Sequence, residues 1–303
     1  MRFWRSVPGA LILVLMLGMS VAVGAVTVQV HRLTHPARVS SATLAVTGDL
    51  VRIESVAFSS SDGVPLRGWR IPGPPGAPGI VLCHDLGSSK DAMLDLAIAL
   101  QASGFTVVAF DFRGHGASGG SGSTLGVEEK RDVLGALDYL ASVEGVDARR
   151  LGIYGVGMGA QAAVRAAADR PSAAVLVLDG LYPDVGWEVQ RAVYASWRMG
   201  TRRFGFLPRS VFGALHFETR GEPAASTVLP TLRGRHLLLV APADDAPLAA
   251  EMQRMYEAIP EQKDADGNLV TLPAGSGGEL YGEDLTRYRR KVLGFFKERL
   301  IPA

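Results

Sequence analysis

The sequence predicts an α/β fold with a mostly parallel central sheet covered by helices on both faces, a small helical cap, and one apolar helix ahead of it all. Three observations lead there. Beyond about residue 50, short apolar runs alternate with amphipathic segments of helical period, the pattern of a sheet buried on both faces. Several runs end in glycine-rich turns, as in residues 110–119, FDFRGHGASG, and 151–160, LGIYGVGMGA, which gathers loops at the carboxyl ends of the strands, where open α/β sheets build their sites. The chain has 303 residues, 48% of them hydrophobic and 20% charged, enough to bury one large core.

The first element is the apolar helix. Arg2 and Arg5 precede a charge-free stretch over 6–30, of which 10–28 is nearly all apolar, and about 20 such residues span a bilayer as a helix. A cleaved signal peptide would need a shorter apolar core and a small-residue site, to which Val23-Gly24-Ala25 is a fair approximation. An uncleaved signal anchor over 1–30 fits better. It implies a single-pass membrane protein, with the arginines ahead of the helix favouring an exported body; Arg32 and Arg38 behind it leave that bias small. Residues 31–49, with Pro36 and several Ser and Thr, read as a juxtamembrane linker, and 50–303 as the globular domain.

That domain opens with an antiparallel pair, 50–58 and 66–71, around the turn Ser-Ser-Ser-Asp-Gly-Val-Pro. The alternation then follows. Strands are expected over 80–83, 106–110, 151–154, 173–178, 236–241 and 269–272, and helices over 92–103, 127–143, 160–168 and 285–300. Between Asp179 and His236 the rhythm breaks. This interval holds Trp187, Tyr194, Trp197, Phe204, Phe206, Phe212 and Phe217, and a segment of that length inside a domain usually carries its own structure and often covers a site. It is read as the cap, about 182–232. Its arginines, Arg191, Arg198, Arg202, Arg203 and Arg209, read first as a solvated face and second as a seat for lipid head groups.

Composition excludes several functions. A net charge of +1, with acids and bases evenly mixed, supplies no field to hold nucleic acid. The single Cys83 forbids an intrachain disulfide, and the six histidines never fall at HExxH spacing, so neither a metal nor any other cofactor is expected.

Residues 82–90 (LCHDLGSSK), 110–119 (FDFRGHGASG) and 146–160 (VDARRLGIYGVGMGA), in that order, resemble the α/β-hydrolase superfamily, in particular its serine aminopeptidase-like and esterase-like branch. The resemblance runs from about residue 50 to the carboxyl terminus. It implies a nucleophilic serine in a G-x-S-x-G elbow, followed in the chain by an acid and then a histidine. A hydroxyl is a poor nucleophile at neutral pH and needs the adjacent base.

Here the elbow reads Gly155-Val156-Gly157-Met158-Gly159, so Gly157 stands in the serine position. The acid position follows the 236–241 strand, where Asp245 matches better than Asp244; without a histidine partner, helix capping ahead of Pro247 explains it as well. The base position maps to Gly277 or Gly278, of which Gly278 is preferred, and no histidine occurs after His236. The backbone amides of Leu86 and Met158 would line the oxyanion hole. The family's usual HG in the first of these loops is His84-Asp85 here, and the Asp85 carboxylate either weakens the anion site or points to solvent.

His84, Asp85, Asp179 and His216 are the other candidate pocket residues. His115 belongs to a structural turn, Cys83 to a buried strand, and Ser88 and Ser89 to a helix cap. The expected function is a membrane-anchored pseudo-hydrolase that binds a small apolar ligand or a protein. The alternative is an active hydrolase of esters or amides with a different constellation, for example Asp245 or Asp179 activating water directly.

Overall fold

The computed structural model describes residues 7–39, 51–197, 206–260, 268–272 and 282–301. Two compact units divide them. One is built on the amino-terminal helix and Gly186–Arg220, the other on Pro36–Val185 and Gly221–Ala303.

The larger unit is an α/β body. Its strands are β1 (Glu54–Ser59), β2 (Pro65–Ile71), β3 (Ala77–Cys83), β4 (Thr106–Asp111), β5 (Val146–Val156), β6 (Ala173–Asp179), β7 (His236–Pro242) and β8 (Leu269–Leu272). They form one sheet in the order β1-β2-β4-β3-β5-β6-β7-β8. β1 pairs with β2 and β2 with β4 antiparallel, and every later neighbour pair is parallel. Every residue of β3 and β4 is buried, because helices cover both faces.

On one face lie α2 (Leu94–Ala102) and α9 (Gly282–Leu300). Tyr288, Val292, Phe295, Phe296 and Leu300 recur along one stripe of α9 and join Ile80, Leu82, Val107 and Val177 in the core. Each such side chain stabilises the fold by about 1.5–3 kcal/mol on burial. The other face carries α3 (Lys130–Ser142) and α4 (Met158–Asp169), and a Cβ at Gly79 of β3 would meet Leu140 of α3 at 2.7 Å. A short α7 (Ala225–Val228) packs on α4, and α8 (Ala246–Glu257) on β7.

Several boundaries differ from the sequence expectation for local reasons. β5 begins at Val146 rather than 151, since Val146 and Asp147 pair with Ala77 and Pro78 across an irregularity at Pro78/Gly79. α3 begins at Lys130 rather than 127, because the buried Glu129 carboxylate accepts from the N–H groups of Thr124 and Gly126 and holds that loop out of the helix. Ahead of α2, a 3₁₀ turn at Lys90–Met93 is capped by the Ser89 side chain, which accepts from Asp91 N–H.

The smaller unit contains α1 (Val7–Thr34), α5 (Val185–Ser196) and α6 (Phe206–Leu215). The apolar helix runs to Thr34, beyond the expected boundary at residue 30. Thr34 Oγ1 donates back to Val30 O at 3.0 Å, and His31 and Arg32 in the last turn suit the negative end of the helix dipole. The described residues of the segment expected as a cap contain α5, α6 and α7, but Gly186–Arg220 groups with α1, while residues 182–185 and 221–232 belong to the body.

Candidate functional site

The site forms where β3, β5 and β6 end. β5 turns sharply at Gly157 into α4, whose first residue is Met158. Gly157 has φ 51° and ψ −110°, and its N–H donates to Asp179 O at 2.9 Å, tying the turn to the end of β6. Close approach also requires Gly159. A Cβ there would lie 2.3 Å from Cys83 O.

Asp85 follows β3 by two residues and turns inward. Its Oδ1 accepts from Leu86 N–H at 2.7 Å and from Met158 N–H at 2.8 Å. These are the two amides that the resemblance implies for an oxyanion hole. The carboxylate therefore rests at the amino terminus of α4, where backbone N–H groups and the helix dipole favour an anion. It also fills the space ahead of the elbow, for a Cβ on Gly157 would lie 2.1 Å from Asp85 Oδ1.

Two imidazoles fix this loop. His84 Nε2 accepts from Phe112 N–H at 3.1 Å, so Nδ1 carries the proton and donates to Asp85 O at 2.7 Å. His84 is fully buried, and burial first, then the neighbouring His115, lowers its pKa to about 3. His115 repeats the pattern, with Nε2 accepting from Gly87 N–H at 3.1 Å and Nδ1 donating to Arg113 O at 2.9 Å. Both ring nitrogens of each histidine are committed to backbone, so neither serves as a base. Below them the buried Lys90 Nζ donates to Asp111 Oδ2 at 2.7 Å.

Asp179 ends β6 beside the elbow with no exposed surface. Its Oδ2 accepts from Tyr288 OH of α9, which in turn bonds Tyr154 OH of β5; Oδ1 has no hydrogen-bond partner among the described residues. Burial raises its pKa to about 7, the Tyr288 hydrogen bond opposes that rise, and the Asp85 charge adds to it. The two tyrosines escape sequence reading, since Tyr288 shares the buried stripe of α9 with apolar residues and nothing local pairs it with a residue 109 positions away.

The remaining candidates have other partners. Asp245 caps α8, its Oδ1 accepting from Leu248 N–H at 3.0 Å. His216 belongs to the smaller unit, where its ring stacks on Phe212 at 4.7 Å and Nδ1 lies 3.1 Å from Glu218 Oε1. Cys83 is a buried thiol, and burial pushes its pKa up. Gly277 and Gly278 lie outside the described residues. Among the described residues no three His, Cys, Asp or Glu side chains gather to hold a metal ion.

Sheet order, elbow and loop placement together define an α/β-hydrolase fold. A solved esterase of Pyrococcus furiosus, Pf2001, shares it with a TM-score of 0.65 at 22% identity, over 89% of this chain and 99% of that one. Residues 77–202 match the family described as serine aminopeptidase, S33. The polyketide transferase ATR5 of Stachybotrys chlorohalonatus is 32% identical over 82% of this chain and 97% of its own length. An uncharacterized protein of Mycobacterium tuberculosis is 32% identical over 124 residues, 40% of this chain and 43% of that relative, so the match spans less than half of the latter's length. This chain belongs to the α/β-hydrolase superfamily, in its serine aminopeptidase-like branch.

Proposed function

We propose that this protein is a membrane-anchored α/β-hydrolase-fold protein that does not hydrolyse esters or amides and acts instead by binding a small apolar ligand or a protein partner. The observation that carries the proposal is Asp85 Oδ1, which engages the Leu86 and Met158 amides and stands where a side chain at position 157 would begin. An oxyanion developing there would find both donors taken and a negative charge in its place. Electrostatic stabilisation at such a hole is usually the largest catalytic contribution, and losing one donor alone costs about 10²–10³ in kcat. Gly157 supplies no nucleophile and Gly278 no base. Loss of a serine or histidine from a triad costs roughly a million-fold in turnover.

The active alternative, water activated by Asp179 or Asp245, has less support. Asp179 is buried against Tyr288, and Asp245 is engaged in capping α8. In the favoured reading α1 anchors the chain and the body faces the exported side, following Arg2 and Arg5 ahead of the helix.

Full-length protein in detergent, treated with a fluorophosphonate probe and with panels of aryl esters and aminoacyl amides, tests the reading. No labelling is expected, nor turnover above the uncatalysed rate. Turnover well above that rate and abolished by Asp179→Asn would establish the alternative.

A further inference from the structure

In the smaller unit, α1 changes character along its length. Residues 9–25 are exposed on every side, whereas Val26, Val30 and Thr34, spaced by four, are buried. The helix packed against α1 in this unit is α6, which buries its own Pro208, Val211 and Phe212. The bare part of α1 is roughly 25 Å long at 1.5 Å per residue, close to the hydrocarbon thickness that an apolar helix must cross. Where that length is used up, the buried positions Val26, Val30 and Thr34 begin.

The same unit exposes large apolar side chains where a soluble surface would carry polar ones. Phe206 is 66% exposed, Leu215 45% and Phe217 69%. Exposed basic residues accompany them, Arg32 in the last turn of α1 and Arg220 just beyond Phe217, whose Nε donates to Gly213 O. Aromatic and apolar side chains beside arginines are the composition of a membrane–water boundary, with rings among the glycerol groups and guanidinium groups on phosphate.

We propose that α6 and the turn after it, with Phe206, Leu215 and Phe217, form a membrane-contact surface lying in the interfacial region of the bilayer that α1 spans. The occupant of this face is phospholipid, because α6 packs on α1 and shares one compact unit with the bare, bilayer-length apolar stretch of that helix. The inference rests on the anchoring part of the proposed function. It makes this helix pair a combined anchor, one helix crossing the bilayer and one lying on it.

The test uses the full chain in phosphatidylcholine–phosphatidylglycerol vesicles. An environment-sensitive maleimide dye is placed at Val14→Cys or Ala214→Cys, with wild type as the blank because Cys83 is fully buried. Nitroxide lipids then report depth. The dye at position 14 should lose fluorescence chiefly to nitroxides near the acyl-chain end. The dye at 214 should lose it chiefly to nitroxides near the glycerol, resist aqueous iodide, and lose that pattern when Phe206→Ser and Phe217→Ser are added. Quenching at 14 with iodide-accessible, lipid-insensitive dye at 214 would overturn the contact surface and leave the anchor standing. No lipid quenching at either position would overturn the anchor itself.

Discussion

A Cβ at Gly157 would meet Asp85 Oδ1 at 2.1 Å, and the backbone there has φ 51°, which disfavours any side chain. Gly157→Ser alone is therefore expected to lower stability by about 2 kcal/mol, and to cost clearly less in an Asp85→Ala background, since only the backbone strain would then remain. Denaturant unfolding of the four proteins of that cycle measures the coupling. Restoring Gly157→Ser with Gly278→His should give little esterase activity until Asp85 is also removed.

Asp179 is the second residue with a measurable consequence. Its folded pKa, raised to about 7 mainly by burial, lies above the ordinary carboxylate value, so the native state holds a proton that the unfolded chain releases. The stabilisation is full below the unfolded pKa and is lost as pH rises toward and through 7. Wild type should lose stability between about pH 5 and pH 8, and Asp179→Asn should lose less over the same range. The glycine at position 157 of the elbow was legible directly in the sequence. The seat of the Asp85 carboxylate was not, because nothing in His84-Asp85-Leu86 fixes which way a loop side chain turns.

Among the elements, α8 illustrates a residue with two readings. The resemblance puts Asp245 in the acid position as an expectation, and the residue accepts from Leu248 N–H at the start of α8. Asp245→Ala should cost about 1 kcal/mol in thermal or denaturant unfolding, the usual worth of a helix cap. On α9, Tyr288→Phe would strip Asp179 Oδ2 of its donor, an expected loss of about 1–3 kcal/mol, and would move the Asp179 titration further up. The strands and most helices were legible because their apolar periods are strong. Their starts were not, since a paired β5 extension and the Glu129 loop depend on partners distant in space or on a buried carboxylate.

For the whole molecule, a mostly parallel sheet between two helical layers follows from the alternation of apolar strands with amphipathic helices, and the antiparallel β1–β2 pair from the turn at Asp62-Gly63. Grouping α1 with α5 and α6 was hidden, because packing of an apolar helix on a distant segment leaves no periodic mark. Within the larger unit, Arg38 donates to the carbonyls of Gly116 at 3.1 Å and Gly120 at 2.6 Å, in the turn that holds His115. In cell fractionation the full chain is expected with membranes after alkaline carbonate washing, its amino terminus intact; a mature protein beginning just after Val23-Gly24-Ala25 would instead identify a cleaved leader.

The central claim is that the anion-stabilising amides of this hydrolase fold are held by the protein's own carboxylate. Selective ¹⁵N labelling of leucine and methionine in the full-length protein makes the Leu86 and Met158 amides observable, with acetate added as an external carboxylate. The account predicts that neither signal of the wild type responds to acetate, and that in Asp85→Ala both move together along one saturation curve. Wild-type signals that follow acetate, or signals left unmoved by Asp85→Ala, would contradict it.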